Sequence, residues 1–433
     1  MPFLKLMKLF IKAVLIPFSI LERALTLLAY LSTKSAIVID LLVTNRLQMP
    51  KKLKQKCTFL LVPISQLPGF SKIAETKGGF ENIVLPKIVG LSNGGNISVN
   101  MPGDYLCKLN HVSFVPYSDF IRDANGNVAN EKLMRKEYDV LIPRDRDIIK
   151  IKGKIISLAE QKDIIHSKVA FNLMGTFSSN WAHFLAQYYP KLNFLNDLPK
   201  LENIDLIVPK NIDLHFKYLI EYELNHYPNI NILEVDIDSK IICEKLYHVS
   251  IGTLLGDDGY FPTPFAVQIS NSTINFWNKK AMELVPTDSN QYRKIFIGRT
   301  GCRSIKNYNE VSDYFIDQGF EEIFPHLLNI EDKIKIFSEA KYIVGPWSSG
   351  FANSIYSQSG TKLLAFVNSF RYLDTYLSGF NNFKKHEFWF MPGKDDNLKD
   401  MNSSYEICLN EIKLFLEENN FFDNQNKVVN KCI

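Results

Sequence analysis

The sequence predicts an α/β protein of two Rossmann-type lobes with parallel sheets, preceded by a basic amphipathic helical arm. Three observations lead there. The 433 residues exceed what one hydrophobic core ordinarily organises, and 46% hydrophobic with 22% charged residues is a normal globular balance. Short runs rich in Val and Ile alternate with amphipathic stretches in two blocks, and strand-helix-strand order implies parallel pairing. The formal charge of +4 is unevenly spread: residues 1–56 hold ten basic and two acidic side chains, net +8, which leaves −4 for the rest.

The arm comes first. Residues 9–31 (LFIKAVLIPFSILERALTLLAYL) are long enough to span a bilayer, but Lys12, Pro17, Glu22 and Arg23 interrupt the run. A helix pair lying in the membrane interface suits this pattern, and so does an amphipathic arm packed on the protein's own body. No clean apolar run ends in a small-residue cleavage site, which argues against a secretory signal. The basic residues interleave with aliphatic ones rather than with polar and aromatic positions, which argues against nucleic acid. Six cysteines (Cys57, Cys107, Cys243, Cys302, Cys408, Cys432) lack any CxxC spacing and read as reduced thiols of a cytoplasmic protein. With eight dispersed histidines, no spacing resembles a zinc site, so no metal is expected.

Beyond a Gly- and Asn-rich stretch after residue 63, YDVLIPRDRDIIKIKGKIISL (138–158) reads as two strands. VAFNLMG (169–175) reads as a strand, and NWAHFLAQYYPKLNFL (180–195) as a helix with Ser178 or Ser179 as N-cap. IDLIVP (204–209), LHFKYLIEYELNHY (214–227) and INILEV (230–235) continue as strand, helix and strand. A helix near 264–283 leads to VPTDSNQ (285–291), which has the character of a linker. From there the alternation is cleaner: strands at 295–298, 320–325, 342–345 and 361–367, helices at 309–319 and 329–340. A last helix near 403–419 is placed to brace the first lobe. The boundaries are therefore an arm at 1–56, one lobe at 57–284 and a second at 292–433.

In YIVGPWSSGFANSIYSQSG an apolar strand ends at Gly345 and a small-residue turn opens a helix near Ser349. Ligands of open α/β sheets bind beyond the carboxyl ends of strands, and a helix start offers unpaired N–H groups to a diphosphate. Gly345 and Gly350 permit close approach, while Ser348, Ser349 and Asn353 supply hydrogen bonds. A strand-to-helix turn that merely requires glycine fits the same spacing. Arg299 and Arg303 follow the first strand of this lobe, with Lys306 beyond, where guanidinium groups can clamp a pyrophosphate. Asp145-Arg146-Asp147 has the D-x-D form of a metal site, but the intervening arginine would compete with a cation, and a surface turn is the expectation. Trp181, Tyr188 and Tyr189 suit either an acceptor platform or the core.

The order of R-x3-R (Arg299, Arg303), a helix start at Asn307, Asn309 and Glu310, GF-x-x-I-x-P (Gly319 to Pro325), I-x-x-F-x-x-A (Ile334 to Ala340) and V-G-P-x-x-x-G-x-x-N (Val344 to Asn353) resembles glycosyltransferase family 61. NWAHFLAQYYPKL upstream is similar to that family's N-x-x-H-[FW] signature, and the resemblance spans roughly residues 165–370. It implies an inverting, metal-independent transferase with a GT-B-like fold, the first lobe taking the acceptor and the second a nucleotide-sugar. It carries over Arg299, Arg303, Gly345, Gly350 and Asn353 as donor-lobe positions, with His183 from the upstream signature. Where the family usually has His after Gly-Pro, this chain has Trp347, which cannot act as a base but can stack on a base or sugar. His183 is the candidate catalytic base, with a core or helix-orienting role as the other reading. Asp258, beside Asp257, is the carboxylate alternative. The expected acceptor is a growing surface polysaccharide, capsular or lipopolysaccharide-like, on a lipid carrier at the inner face of the cell membrane. Transfer of a sugar phosphate or polyol phosphate, and a non-catalytic assembly scaffold, are the competing readings.

Overall fold

In the computed structural model two β-sheets carry the chain, one all-parallel and one mixed. The structure describes residues 56–91, 95–101, 103–130, 147–152, 154–161, 163–250, 253–255, 267–285, 290–299, 301, 303–368, 377–395 and 402–422. The arm up to residue 55 and Asp257 and Asp258 lie outside them.

The parallel sheet has six strands in the order Glu321–Ile323, Arg293–Ile297, Ala340–Pro346, Lys362–Val367, Glu387–Pro392 and Lys87–Ile88. Its four inner strands are largely buried on both faces, which is why they carry apolar runs, whereas the short edge strands Glu321–Ile323 and Lys87–Ile88 are mostly exposed. Phe296, Val344, Leu364, Phe366 and Trp389 meet Val311, Phe315, Ile412 and Phe415 of the helices Tyr308–Asp317 and Leu409–Glu418 on one face. Ile295, Ile343, Leu363 and Phe390 join the larger core on the other. The last helix thus packs on this sheet, with Phe415 and Trp389 ring centroids 5.7 Å apart, and does not return to brace the first lobe.

The larger sheet is mixed, so the expectation of a parallel sheet in both lobes holds only for the second. Ile230–Val235, Ile204–Pro209, Asp163–Asn172 and Ser239–Val249 are mutually parallel neighbours. Tyr105–Phe114 then pairs antiparallel with Ser239–Val249 and leads to a run of shorter strands ending in the hairpin Ile148–Lys152 and Ile155–Ala159. Asp147, expected in a surface turn, is 1% exposed. Its carboxylate accepts from Arg122 at 2.8 Å and from Gln161 at 3.2 Å, a buried pair beneath the hairpin.

Local chemistry explains the element ends. Gly319, at φ 81°, closes the helix Tyr308–Asp317. The Phe320 N–H donates to Phe315 O at 3.0 Å and their rings meet at 5.0 Å, a Schellman closure with its hydrophobic contact. Asn329 caps the helix Ile330–Ser338 by accepting from the Asp332 N–H at 2.7 Å. After Asp163–Asn172 the cap is Asn180, which accepts from the Ala182 and His183 N–H groups, and not a serine; the Ser178 hydroxyl bonds Gly175 O instead. The expected helix there is helical throughout Trp181–Asp197 but changes type, from the α turn Trp181–His183 through the π turn Phe184–Tyr188 to a 3₁₀ stretch Tyr189–Asp197 in which Pro190 lacks an N–H for the ladder. The helix Asn271–Leu284 ties the layers together: the Trp277 indole donates to Leu185 O at 2.6 Å and its ring lies 6.0 Å from Tyr356.

Candidate active site

The five strands of the parallel sheet between Arg293 and Pro392 run in the spatial order 2-1-3-4-5, so the chain leaves Arg293–Ile297 in one direction and Ala340–Pro346 in the other. A crevice at the carboxyl ends of such a pair is where doubly wound sheets bind ligands. Here it is built from Arg299, two residues past the first strand, and the turn after Pro346.

The Arg299 guanidinium donates to the Trp347 carbonyl at 3.0 Å, which places a fixed positive charge against the turn. Ser348 caps the 3₁₀ helix Ser349–Tyr356, its hydroxyl accepting from the Gly350 N–H at 3.3 Å. Arg303, at φ 59°, hangs from the neighbouring loop, its N–H on Asn402 O at 3.2 Å. Both guanidiniums act on Tyr405, whose phenol is pushed up by burial and drawn back by the charges of Arg299 and Arg303. The structure therefore sets Arg299 directly against the turn of Ser348, Ser349 and Gly350, with Arg303 on the neighbouring loop and linked to Arg299 through Tyr405.

Three of the expected donor-lobe residues do something else in it. Gly345 sits at φ 148°, and a Cβ there would stand 2.5 Å from Ile297 O, so its first duty is close strand packing. Trp347 is 7% exposed, its indole enclosed by Phe351, Phe388 and Phe390 at 5.2–5.6 Å. A ring held in that cluster is core and not a free stacking platform. Asn353 is fully buried; its amide N–H donates to Gly350 O at 2.8 Å and its oxygen accepts from the Trp181 indole N–H at 2.8 Å. It thereby fastens the turn to the helix start that follows the larger sheet.

That helix start carries His183. Its ring stacks on Phe177 at 4.9 Å, and Nδ1 lies 3.1 Å from the Gln187 Oε1. An amide oxygen only accepts, so Nδ1 carries the hydrogen and Nε2 the lone pair that a base requires. Tyr188 and Tyr189 are core residues, and Trp181 is half-buried.

Sequence reading passed over Lys333. It is 3% exposed, with Nζ 4.4 Å from the centre of the Trp181 ring and 3.2 Å from His215 Nδ1. The His215 Nε2–H donates to Leu328 O at 2.7 Å, which leaves Nδ1 as the acceptor. Burial brings the Lys333 ammonium down to about 8, against the opposing pull of Asp213. Its signal was present: with Ile330, Ile334 and Phe337 it falls on the apolar stripe of its helix, where a lysine is out of place.

No curated protein matches the sequence. Among solved structures, the bacterial iron-containing dodecameric glycosyltransferase TibC from enterotoxigenic E. coli H10407 is similar at 9% identity, over 70% of this chain and 81% of that one, with a TM-score of 0.24. Residues 181–364, from the Trp181 helix start through the crevice to the fourth parallel strand, match the family model for Glycosyltransferase 61. The chain thus carries a glycosyltransferase family 61 domain, and the protein is a glycosyltransferase.

Proposed function

We propose that the protein transfers a sugar, with inversion, from a nucleotide-sugar to a growing surface polysaccharide of the capsular or lipopolysaccharide kind. The observation that carries this is the Arg299 guanidinium fixed against the Trp347–Gly350 turn at the strand-order switch of a family 61 domain. Arg299, Arg303 and the N–H groups opened by Ser348 and Ser349 hold the donor diphosphate and take up the charge it gains on leaving, without a metal. Gly350 keeps that approach clear. His183 Nε2 removes the proton of the acceptor hydroxyl as its oxygen bonds the anomeric carbon and the carbon–diphosphate bond breaks on the opposite face. In this reading residues 57–284 hold the acceptor and 292–433 the donor.

Product analysis with purified protein, nucleotide-sugar and acceptor glycan tests it. His183→Gln is expected to lower kcat by about 10²–10⁴-fold while donor binding persists. Equal turnover in wild type and variant would remove His183 from the chemistry, and release of a nucleoside monophosphate would redirect the reaction to sugar-phosphate transfer. The +8 segment supports a place on the inner face of the cell membrane, with arm 1–56 on anionic lipid. Among the described residues no helix is long and apolar enough to cross a membrane. Deleting residues 1–50 should shift the protein from the membrane fraction to the soluble one, and an unchanged distribution would refute the anchoring.

A further inference from the structure

We propose that a narrow polar hollow at the carboxyl end of the larger sheet, around Gln187 and Lys191, seats a hydroxyl-bearing arm of the acceptor sugar and reports its presence to His183. The inference rests on the proposed transfer with His183 as base.

The hollow has a cavity volume of about 10 Å³, room for a single water-sized group, and its polar lining comes from Asp104, Gln187, Lys191, Asn193, Ser272 and Thr273. Val249 and Ser250, also at its wall, mark the carboxyl end of the strand Ser239–Val249. A second hollow of similar size, about 10 Å³, adjoins it through Lys191 and is reached by Asn172, the last residue of the neighbouring parallel strand, and by His248. Both therefore lie where an α/β sheet offers its strand ends to ligands.

The chemistry of the lining selects the guest. Lys191 and the two side-chain amides donate; the Asp104 carboxylate and the hydroxyls of Ser272 and Thr273 accept. Hydroxyls, which donate and accept at once, suit such a mixed set. A phosphate meets the repulsion of Asp104 and Asp119, and an apolar group strands buried polar atoms. Pro190 and Phe194 supply the apolar margin that a sugar's C–H face requires. The hollow is too narrow for a whole ring, so it takes one hydroxyl or hydroxymethyl arm.

Gln187 supplies the independent observation. It is 1% exposed, its Oε1 is engaged by His183 Nδ1, and its Nε2 has no hydrogen-bond partner among the described residues. Buried amide N–H groups are rarely left unmade. A sugar oxygen in the hollow completes that amide, and the completed amide holds its own oxygen on the His183 Nδ1–H. Acceptor binding thus fixes the tautomer that makes Nε2 the base.

Saturation-transfer NMR on the full chain, with millimolar methyl glycosides of hexoses and pentoses as probes, tests the proposal. Wild type is expected to show contact signals that Gln187→Leu and Asn193→Ala weaken by about five- to tenfold, the worth of one hydrogen bond. Asn193 is exposed, so its variant remains informative where Gln187→Leu fails to fold. Thermal shift by nucleoside diphosphates is recorded in parallel, and both variants should retain it. No glycoside signal in wild type, or a signal undiminished in Asn193→Ala, overturns the subsite whatever the nucleotides do. Variant-sensitive glycoside signals without any nucleotide shift keep the subsite and count against the donor reading instead.

Discussion

Asn353, itself buried, joins two parts of the molecule with two part-buried hydrogen bonds, to Gly350 O and from the Trp181 indole, both at 2.8 Å. Asn353→Ala strands a carbonyl and an indole N–H, which should cost about 1–3 kcal/mol in urea unfolding. Because Trp181→Phe removes the same indole bond, the double variant should lose less than the sum of the singles by about 1 kcal/mol. Strict additivity would show that the pair is not coupled. The sequence pointed to Asn353 as a polar residue near the donor turn but gave no hint of its partner 172 positions away. Asp147 was misread for a related reason: nothing local announces Arg122, and without that partner a D-x-D among charged residues looks like a turn. Trp347 was legible as a departure from the family's histidine, but the three phenylalanines that enclose it are contributed by two other elements.

The helix Ile330–Ser338 presents Ile330, Lys333, Ile334 and Phe337 to the interior, so a cation lies in its apolar stripe. Lys333 has its folded pKa lowered to about 8, below its ordinary value of 10.5. Below pH 8 both folded and unfolded chains hold the proton and the burial penalty is felt in full. As pH rises through 8 the folded chain releases the proton while the unfolded chain keeps it until about 10.4, so the penalty is relieved. Wild type should therefore gain stability relative to Lys333→Met between pH 7 and about 9.5. Lys384, also lowered by burial, is common to both proteins and cancels in the comparison. A constant difference across that range would mean that Lys333 titrates normally. Elements of the parallel lobe were legible because its helices are bounded by strong signals, such as the Gly319 stop and the Asn329 cap. The segment after Asn180 was legible as helical but not in its change of helix type, because periodicity does not reveal how Pro190 alters the backbone ladder. The strand Glu387–Pro392 was missed with the two-residue strand Lys87–Ile88 that pairs with it, the latter too short to carry any period.

At the scale of the whole molecule, sequence alternation sufficed for the parallel blocks, where each crossover helix separates two strands. It did not reveal that Tyr105–Phe114 runs antiparallel beside Ser239–Val249, since the direction of strands so far apart in the chain leaves no mark on either segment. The strand-end turn of the parallel sheet was legible in part for a physical reason: a strand-end arginine and a small-residue turn are local features, and the topology then places them at one switch point. The hollow proposed for the acceptor depends on residues scattered from Asp104 to Thr273, which only the fold assembles. The central claim is that the nucleotide-sugar binds at the crevice between Arg299 and the Ser348–Gly350 turn. It is tested most directly by thermal shift of wild type and Arg299→Ala against a panel of nucleotide-sugars. The account predicts a donor-dependent rise in Tm for wild type that is lost in Arg299→Ala, with the unliganded Tm little changed. A rise of undiminished size in Arg299→Ala would contradict it and place the donor elsewhere.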